Sequence, residues 1–263
     1  MGVRARSRVI VTIVAVVVLL AASFLAYGWW TRRGPVQFGR GGPFASPSPT
    51  PLPDDLPPAG RYVFEASGEE RVKLGAISAC DWPVDEIEMT IARDGADTIV
   101  DQQIGERLER LIHRDGADGI RLQYSASTVT CLGIRTTSED TYESPPLRFR
   151  LPLRPGDTWT TTATSEHRTE EATIRVLRRE QVTVPAGSFD AFVVELRARF
   201  SGEQQGTIEQ VSWFAPALRL WVRQESSTQA DRSGARFTST YTAELASLPA
   251  PLPSARSEPS AAA

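Results

Sequence analysis

Residues 59–248 read as a mainly β domain, a curved antiparallel sheet forming a half-barrel or open barrel built as a meander, on three observations. Apolar residues recur at every second position. Phe192, Val194, Leu196, Ala198 and Phe200 oppose Val193, Glu195, Arg197 and Arg199, and Leu218, Leu220 and Val222 oppose Arg219, Trp221 and Arg223. Tyr241, Ala243 and Leu245 likewise oppose Thr242 and Glu244. A period of two is the mark of antiparallel strands with one covered and one more polar face. Turn signals come at the spacing of a meander: Pro185 to Gly187, Ser201-Gly202 with Gly206, Ala215-Pro216 and Ser233-Gly234. No stretch of ten residues in the domain carries a convincing helical period, residues 105–114 coming nearest.

Ahead of that domain, residues 9–27 contain no charge and only two aliphatic hydroxyl side chains, Thr12 and Ser23. At 1.5 Å per residue about 20 residues cross the roughly 30 Å of a bilayer core. Tyr27, Trp29 and Trp30, then Arg32 and Arg33, supply the aromatic and snorkelling residues that a headgroup layer accommodates. A transmembrane helix is therefore expected over 9–30, behind a cytoplasmic N-terminus at 1–8. The alternative is a cleaved signal peptide, with small residues at Ala21 to Ser23 and Ala26 to Gly28; the apolar run is longer than the usual core of one. No cysteine lies near the end of the run, which argues against a lipoprotein anchor.

Residues 31–58 change character, with Gly39, Gly41 and Gly42 followed by Pro47, Pro49, Pro51, Pro53, Pro57 and Pro58. Alternating prolines favour polyproline II and build no core, so this stretch is expected to be a linker. The Pro/Ala/Ser-rich residues 249–263 are expected to be a disordered tail. Of the whole-chain net charge of −3, six arginines and two aspartates lie upstream and Arg256 and Glu258 cancel downstream, which leaves −7 on the domain. An acidic domain is a poor partner for nucleic acid, whose binding rests on neutralising phosphates.

Within the domain, Arg-Asp-Gly-Ala-Asp occurs at 93–97 and again at 114–118. Each copy is expected to be the turn of a hairpin, since Asp-Gly accepts the positive φ a short turn needs. Calcium binding by Asp94, Asp97, Asp115 and Asp118 is the sharper alternative, but a calcium loop wants a denser acidic run. Cys80 and Cys131 are the only cysteines. An even count in an exported domain favours a disulfide, two separate buried thiols being the alternative. Closing a loop of about 50 residues stabilises a fold by about 4 kcal/mol in the chain-entropy model. Cys131 is placed in a strand over 128–134 and Cys80 at the end of one over 72–77.

Catalytic chemistry has little footing. His113 falls in the second hairpin and His167 in a polar turn between Glu166 and Glu170. No nucleophile elbow occurs, and Ser188 beside Gly187 and Asp190 is explained by the turn. No cofactor, metal set or catalytic residue is expected, although sequence cannot pair carboxylates across strands and so leaves an envelope hydrolase open. Trp82, Trp159, Trp213 and Trp221 serve either as core plugs or as part of an apolar ligand face. Trp213, Phe214 and Trp221 are the candidate contact surface.

The run Val182, Val184, Pro185, Ala186, Gly187, Phe189 and Ala191, followed by Trp213, Phe214, Ala215, Pro216, Leu218 and Leu220, resembles a pattern in exported bacterial β-proteins of the TapB-like group. That group is related in shape to the LolA-like half-barrels. Residues 151–159 are similar to the strand-entry segment that precedes the pattern, and the resemblance spans roughly 147–246. It implies a curved antiparallel sheet, with Pro185 and Gly187 as the turn that marks the fold, and an extracytoplasmic location; it carries over no catalytic residue. The expected role is a non-enzymatic binding or scaffolding domain on a single membrane span in the bacterial envelope. Its partner would be an envelope protein, a cell-wall polymer or a lipid, and a lipid carrier is the alternative reading.

Overall fold

The computed structural model describes residues 58–248, and among them every regular element is a strand. The fourteen are β1 (Gly60–Leu74), β2 (Ile77–Pro83), β3 (Glu86–Asp94), β4 (Asp97–Ile104), β5 (Arg107–Gly116), β6 (Gly119–Cys131) and β7 (Ile134–Thr141). There follow β8 (Leu147–Arg150), β9 (Thr158–Thr164), β10 (Arg168–Val184), β11 (Gly187–Gly202), β12 (Gln205–Ala215), β13 (Leu220–Arg232) and β14 (Ala235–Ser247). The transmembrane helix, the linker up to residue 57 and the tail beyond 248 lie outside the described residues.

All fourteen strands belong to one antiparallel sheet, ordered β7-β6-β5-β4-β3-β1-β14-β13-β12-β11-β10-β9, with β2 also on β1 and β8 also on β6. Two meanders are therefore joined back to back where the first long strand pairs with the last, Phe64 opposite Leu245 and Val72 opposite Phe237. That seam needs Gly68. A Cβ there would lie 2.2 Å from the Thr240 carbonyl oxygen and 2.5 Å from Tyr241 Cβ, so any side chain would force β1 and β14 apart.

The two outer edges also meet. The Glu143 N–H donates to the Thr164 carbonyl at 3.4 Å, and Arg168 Nε lies 2.9 Å from Asp140 Oδ2. The sheet thus curls around an interior, and the strand between the edges, β8, lines that join through Leu147, whose carbonyl accepts from Trp159 Nε1 at 3.0 Å.

The period of two places Val194, Leu196 and Phe200 inside as expected, and Val194, Ala198, Ile174, Val176, Trp159 and Phe214 form one apolar cluster. Val193, on the other face, is also buried. The register of β10 and β11 shifts between Val176 and Arg178. Beyond that shift Val182, Val184, Ala191 and Val193 join a larger cluster with Tyr62, Phe64, Ile87 and Leu245. The Ala186 N–H at the hairpin turn donates to the Leu245 carbonyl at 3.0 Å, which fastens the tip to β14.

Both Arg-Asp-Gly-Ala-Asp copies turn between strands, but one residue out of step. In the first, Asp94 pairs with Asp97 around Gly95 and Ala96; in the second, Gly116 pairs with Gly119 around Ala117 and Asp118. The second copy is followed by a glycine with φ of 139°, packed under the Phe149 carbonyl where a Cβ would lie at 1.8 Å. The carboxylates pair with arginines, Asp97 with Arg114 at 2.7 Å and Asp118 with Arg121 at 2.6 Å. The cysteines are bridged, with Cα atoms 5.9 Å apart, and join β2 to the end of β6. The expected strand over 72–77 is corrected: β1 ends at Leu74, the chain turns at Gly75 and Ala76, and Cys80 sits within β2. Likewise the strand expected over 128–134 breaks after Cys131, where Leu132 takes a φ of 51°.

Candidate functional site

The interior is a cavity of about 450 Å³, large enough for a small molecule. Apolar side chains on strands from both meanders face it, among them Met89, Val100, Leu111, Leu196, Ile208 and Phe237. Two charged clusters interrupt this lining, besides an Arg219–Asp115 ion pair at 3.6 Å.

The first cluster is built where β1, β5 and β14 come together. Glu70 is fully buried, and Arg107 Nε donates to its Oε1 at 2.9 Å while Ser239 Oγ donates to the same atom at 2.9 Å. Arg107 Nη1 also lies 3.2 Å from Glu109, and its guanidinium stands 5.8 Å from the centre of the Phe237 ring. Burial opposes the arginine's charge, but Glu109 and Glu70 outweigh it and hold the guanidinium above its ordinary pKa. Beside it, burial pushes the Tyr241 phenol up to about 12 against the pull of Arg107, so it donates to Gln224 Oε1 at 2.8 Å as a neutral group.

The second cluster crosses the join between the sheet edges. Arg148 Nη1 lies 2.7 Å from Glu170 Oε1, and Arg168 reaches Asp140, Glu170 at 3.7 Å and the Tyr142 hydroxyl at 3.0 Å. Burial resists ionisation of Glu170, yet Arg148 and Arg168 prevail and hold its carboxyl below the ordinary range. His113 faces the same part of the cavity from β5. Burial pushes its pKa down to about 4, with Arg148 adding to the effect, so the imidazole is neutral near pH 7.

The aromatic surface expected from Trp213, Phe214 and Trp221 is divided. Phe214 and Trp221 line the cavity, Phe214 stacked 4.9 Å from Phe149 and Trp221 stacked 4.0 Å from Phe64. Trp213 is buried on the other face, donating through Nε1 to Glu180 Oε1 at 2.7 Å under the Arg223 guanidinium. A register shift between Trp213 and Phe214 turns Trp221 inward. Strict alternation sets Trp221 opposite Leu220, whereas both line the cavity. Pro185 and Ala186 make the β10–β11 turn, with Gly187 at a φ of 135°. His167 lies on the turn between β9 and β10, with Nδ1 3.4 Å from Glu203. Sequence reasoning missed Glu70, Arg107, Arg148 and Arg168, whose partners lie on other strands and leave no local signal. Among the described residues no group of histidines, cysteines or carboxylates has the arrangement of a metal site.

A family model described as a protein of unknown function (DUF3108) matches residues 137–232, from β7 through β13. No curated protein matches the chain. Among solved structures, the hypothetical lipoprotein YmcC of Escherichia coli K12 is similar at 12% identity and a TM-score of 0.34, covering 71% of this chain and 87% of its own. A provisionally assigned lipoprotein of Parabacteroides distasonis gives 11% identity and 0.33, covering 74% and 97%. A protein of Bacteroides fragilis with a YmcC-like fold, provisionally assigned as exported, gives 11% and 0.28, covering 70% and 94%.

Proposed function

We propose that this chain is a membrane-tethered, extracytoplasmic binding domain that holds a lipid-like small molecule inside its curled sheet, without catalysing a reaction. The observation that carries the reading is the cavity of about 450 Å³ in a place where the sequence alone allowed a filled core. Most of the surface it exposes is apolar, interspersed with hydroxyl, amide and charged side chains, a mixture that suits an amphipathic ligand. The charged groups favour binding over acid–base work. Each cluster pairs its carboxylates with arginine, and Glu170 is held ionised, whereas a glycosidase needs one carboxyl kept protonated. The tether and the extracytoplasmic side rest on the apolar run at 9–30 and on the cysteine pair. Kinship with the TapB-like group belongs to the same reading.

Titration with a fluorescent fatty-acid analogue tests it. The expected result is saturable binding with enhanced emission, weakened at least tenfold in Ile208→Trp, which places extra volume on the cavity wall at the expense of about 1–3 kcal/mol of stability. Unsaturable binding, or equal affinity in a folded Ile208→Trp variant, would contradict the proposal.

A further inference from the structure

Among the large apolar side chains exposed on the described residues, four sit together on two hairpin tips: Leu74 at 42% exposure and Ile77 at 72% between β1 and β2, Leu132 at 71% and Ile134 at 54% between β6 and β7. Far apart in sequence, the tips are held together because Cys80 bridges to Cys131, the residue before Leu132. A third tip, between β13 and β14, joins them where the Gly75 N–H donates to the Gly234 carbonyl at 3.3 Å. The cavity lining runs up to Val72, Cys131 and Ala235, next to each of the three tips, so one end of the cavity lies among them. Lys73, the only lysine of the chain, and Arg135 flank the four aliphatic residues.

We infer that these tips form a rim that inserts into the surface of a lipid bilayer. The patch is small and lies on turns. Four side chains expose a few hundred Å² at most, short of the roughly 800 Å² per partner of a stable protein interface. Aliphatic tips flanked by basic residues instead match a bilayer interface, where apolar groups enter the acyl boundary and Lys and Arg meet anionic headgroups. A bilayer is also within reach of the chain. Residues 31–58 separate the apolar run from β1, and 28 residues extend to at most about 100 Å. The 15 residues of β1 carry the chain about 50 Å from that end of the domain to the Leu74 tip. The rim does not depend on what the cavity holds, so the Ile208→Trp variant is expected to dock like the wild type.

Flotation of residues 52–263, a unit with its own core, on phosphatidylcholine vesicles with and without phosphatidylglycerol tests the inference. The wild type is expected to float, and more strongly with phosphatidylglycerol. Ile77→Asp with Leu132→Asp is expected to lower binding at least tenfold. Leu177→Asp, at an exposed apolar residue away from the tips, should leave binding unchanged, and Lys73→Glu should reduce only the phosphatidylglycerol-dependent part. A wild type that stays unbound, or a correctly disulfide-bonded double variant that floats equally well, would overturn it. So would a wild type that forms a dimer lost in the double variant without binding vesicles.

Discussion

His113 and Glu170 respond to acid in adjoining pH ranges, and this is where individual residues are most open to test. An unfolded histidine takes up a proton near pH 6.5, while His113 in the folded chain resists it until about 4. Between those values the unfolded chain binds more protons, so stability falls as pH drops from 6.5 to 4, by at most about 3 kcal/mol. The depressed pKa of Glu170 gives stabilisation that is full above the ordinary carboxyl value of 4.5 and is lost as pH falls through its lower folded value. Urea unfolding of His113→Gln across this range should therefore lose the upper part of the acid slope and keep the lower. An unchanged slope between pH 6.5 and 4 would show that the imidazole does not face a protein-enclosed cavity. None of this was legible beforehand. His113 is visible in the sequence, but its neighbour Arg148 stands 35 positions away and arrives only through β8 pairing with β6.

At the scale of elements the sequence was more informative. Turn chemistry located both Arg-Asp-Gly-Ala-Asp hairpins and the Pro185 turn: Gly95 and Gly187 take the positive φ that glycine accepts, while in the second copy Gly119 rather than Gly116 does so. Alternation gave the inward row of β11 and the inward residues of β14. It failed where a register shift intervenes, as at Trp221, and where a strand is covered twice, as at Val193. A bulge costs one residue and exchanges the faces beyond it, which no period-two count detects. The disulfide was the one long-range contact that the sequence could name, since two cysteines admit one pairing. It closes a 51-residue separation, so Cys80→Ser with Cys131→Ser is expected to lower unfolding free energy by about 4 kcal/mol. A chemical denaturation midpoint close to that of the wild type would show that the β2 and β6 ends are held by other means.

For the whole molecule, the fold class and the antiparallel order within each meander followed from local pattern, but the joining of β1 to β14 and of the β7 and β9 edges did not. Those two closures involve residues more than 100 positions apart in one case and a short connecting strand in the other. They decide whether an apolar face is an open groove, a filled core or a lined cavity, so the candidate site could be placed only once they were known. The charge clusters share that origin, since Glu70 with Arg107 and Asp140 with Arg168 meet only in the closed sheet. The central claim is that the curled sheet carries a guest. Native mass spectrometry of the domain, purified without organic solvent, tests it most directly. The account predicts an added mass of roughly a few hundred daltons that disappears on solvent extraction, as a molecule fitting this cavity requires. A single mass equal to the bare chain, unchanged after incubation with excess fatty acid, would contradict it.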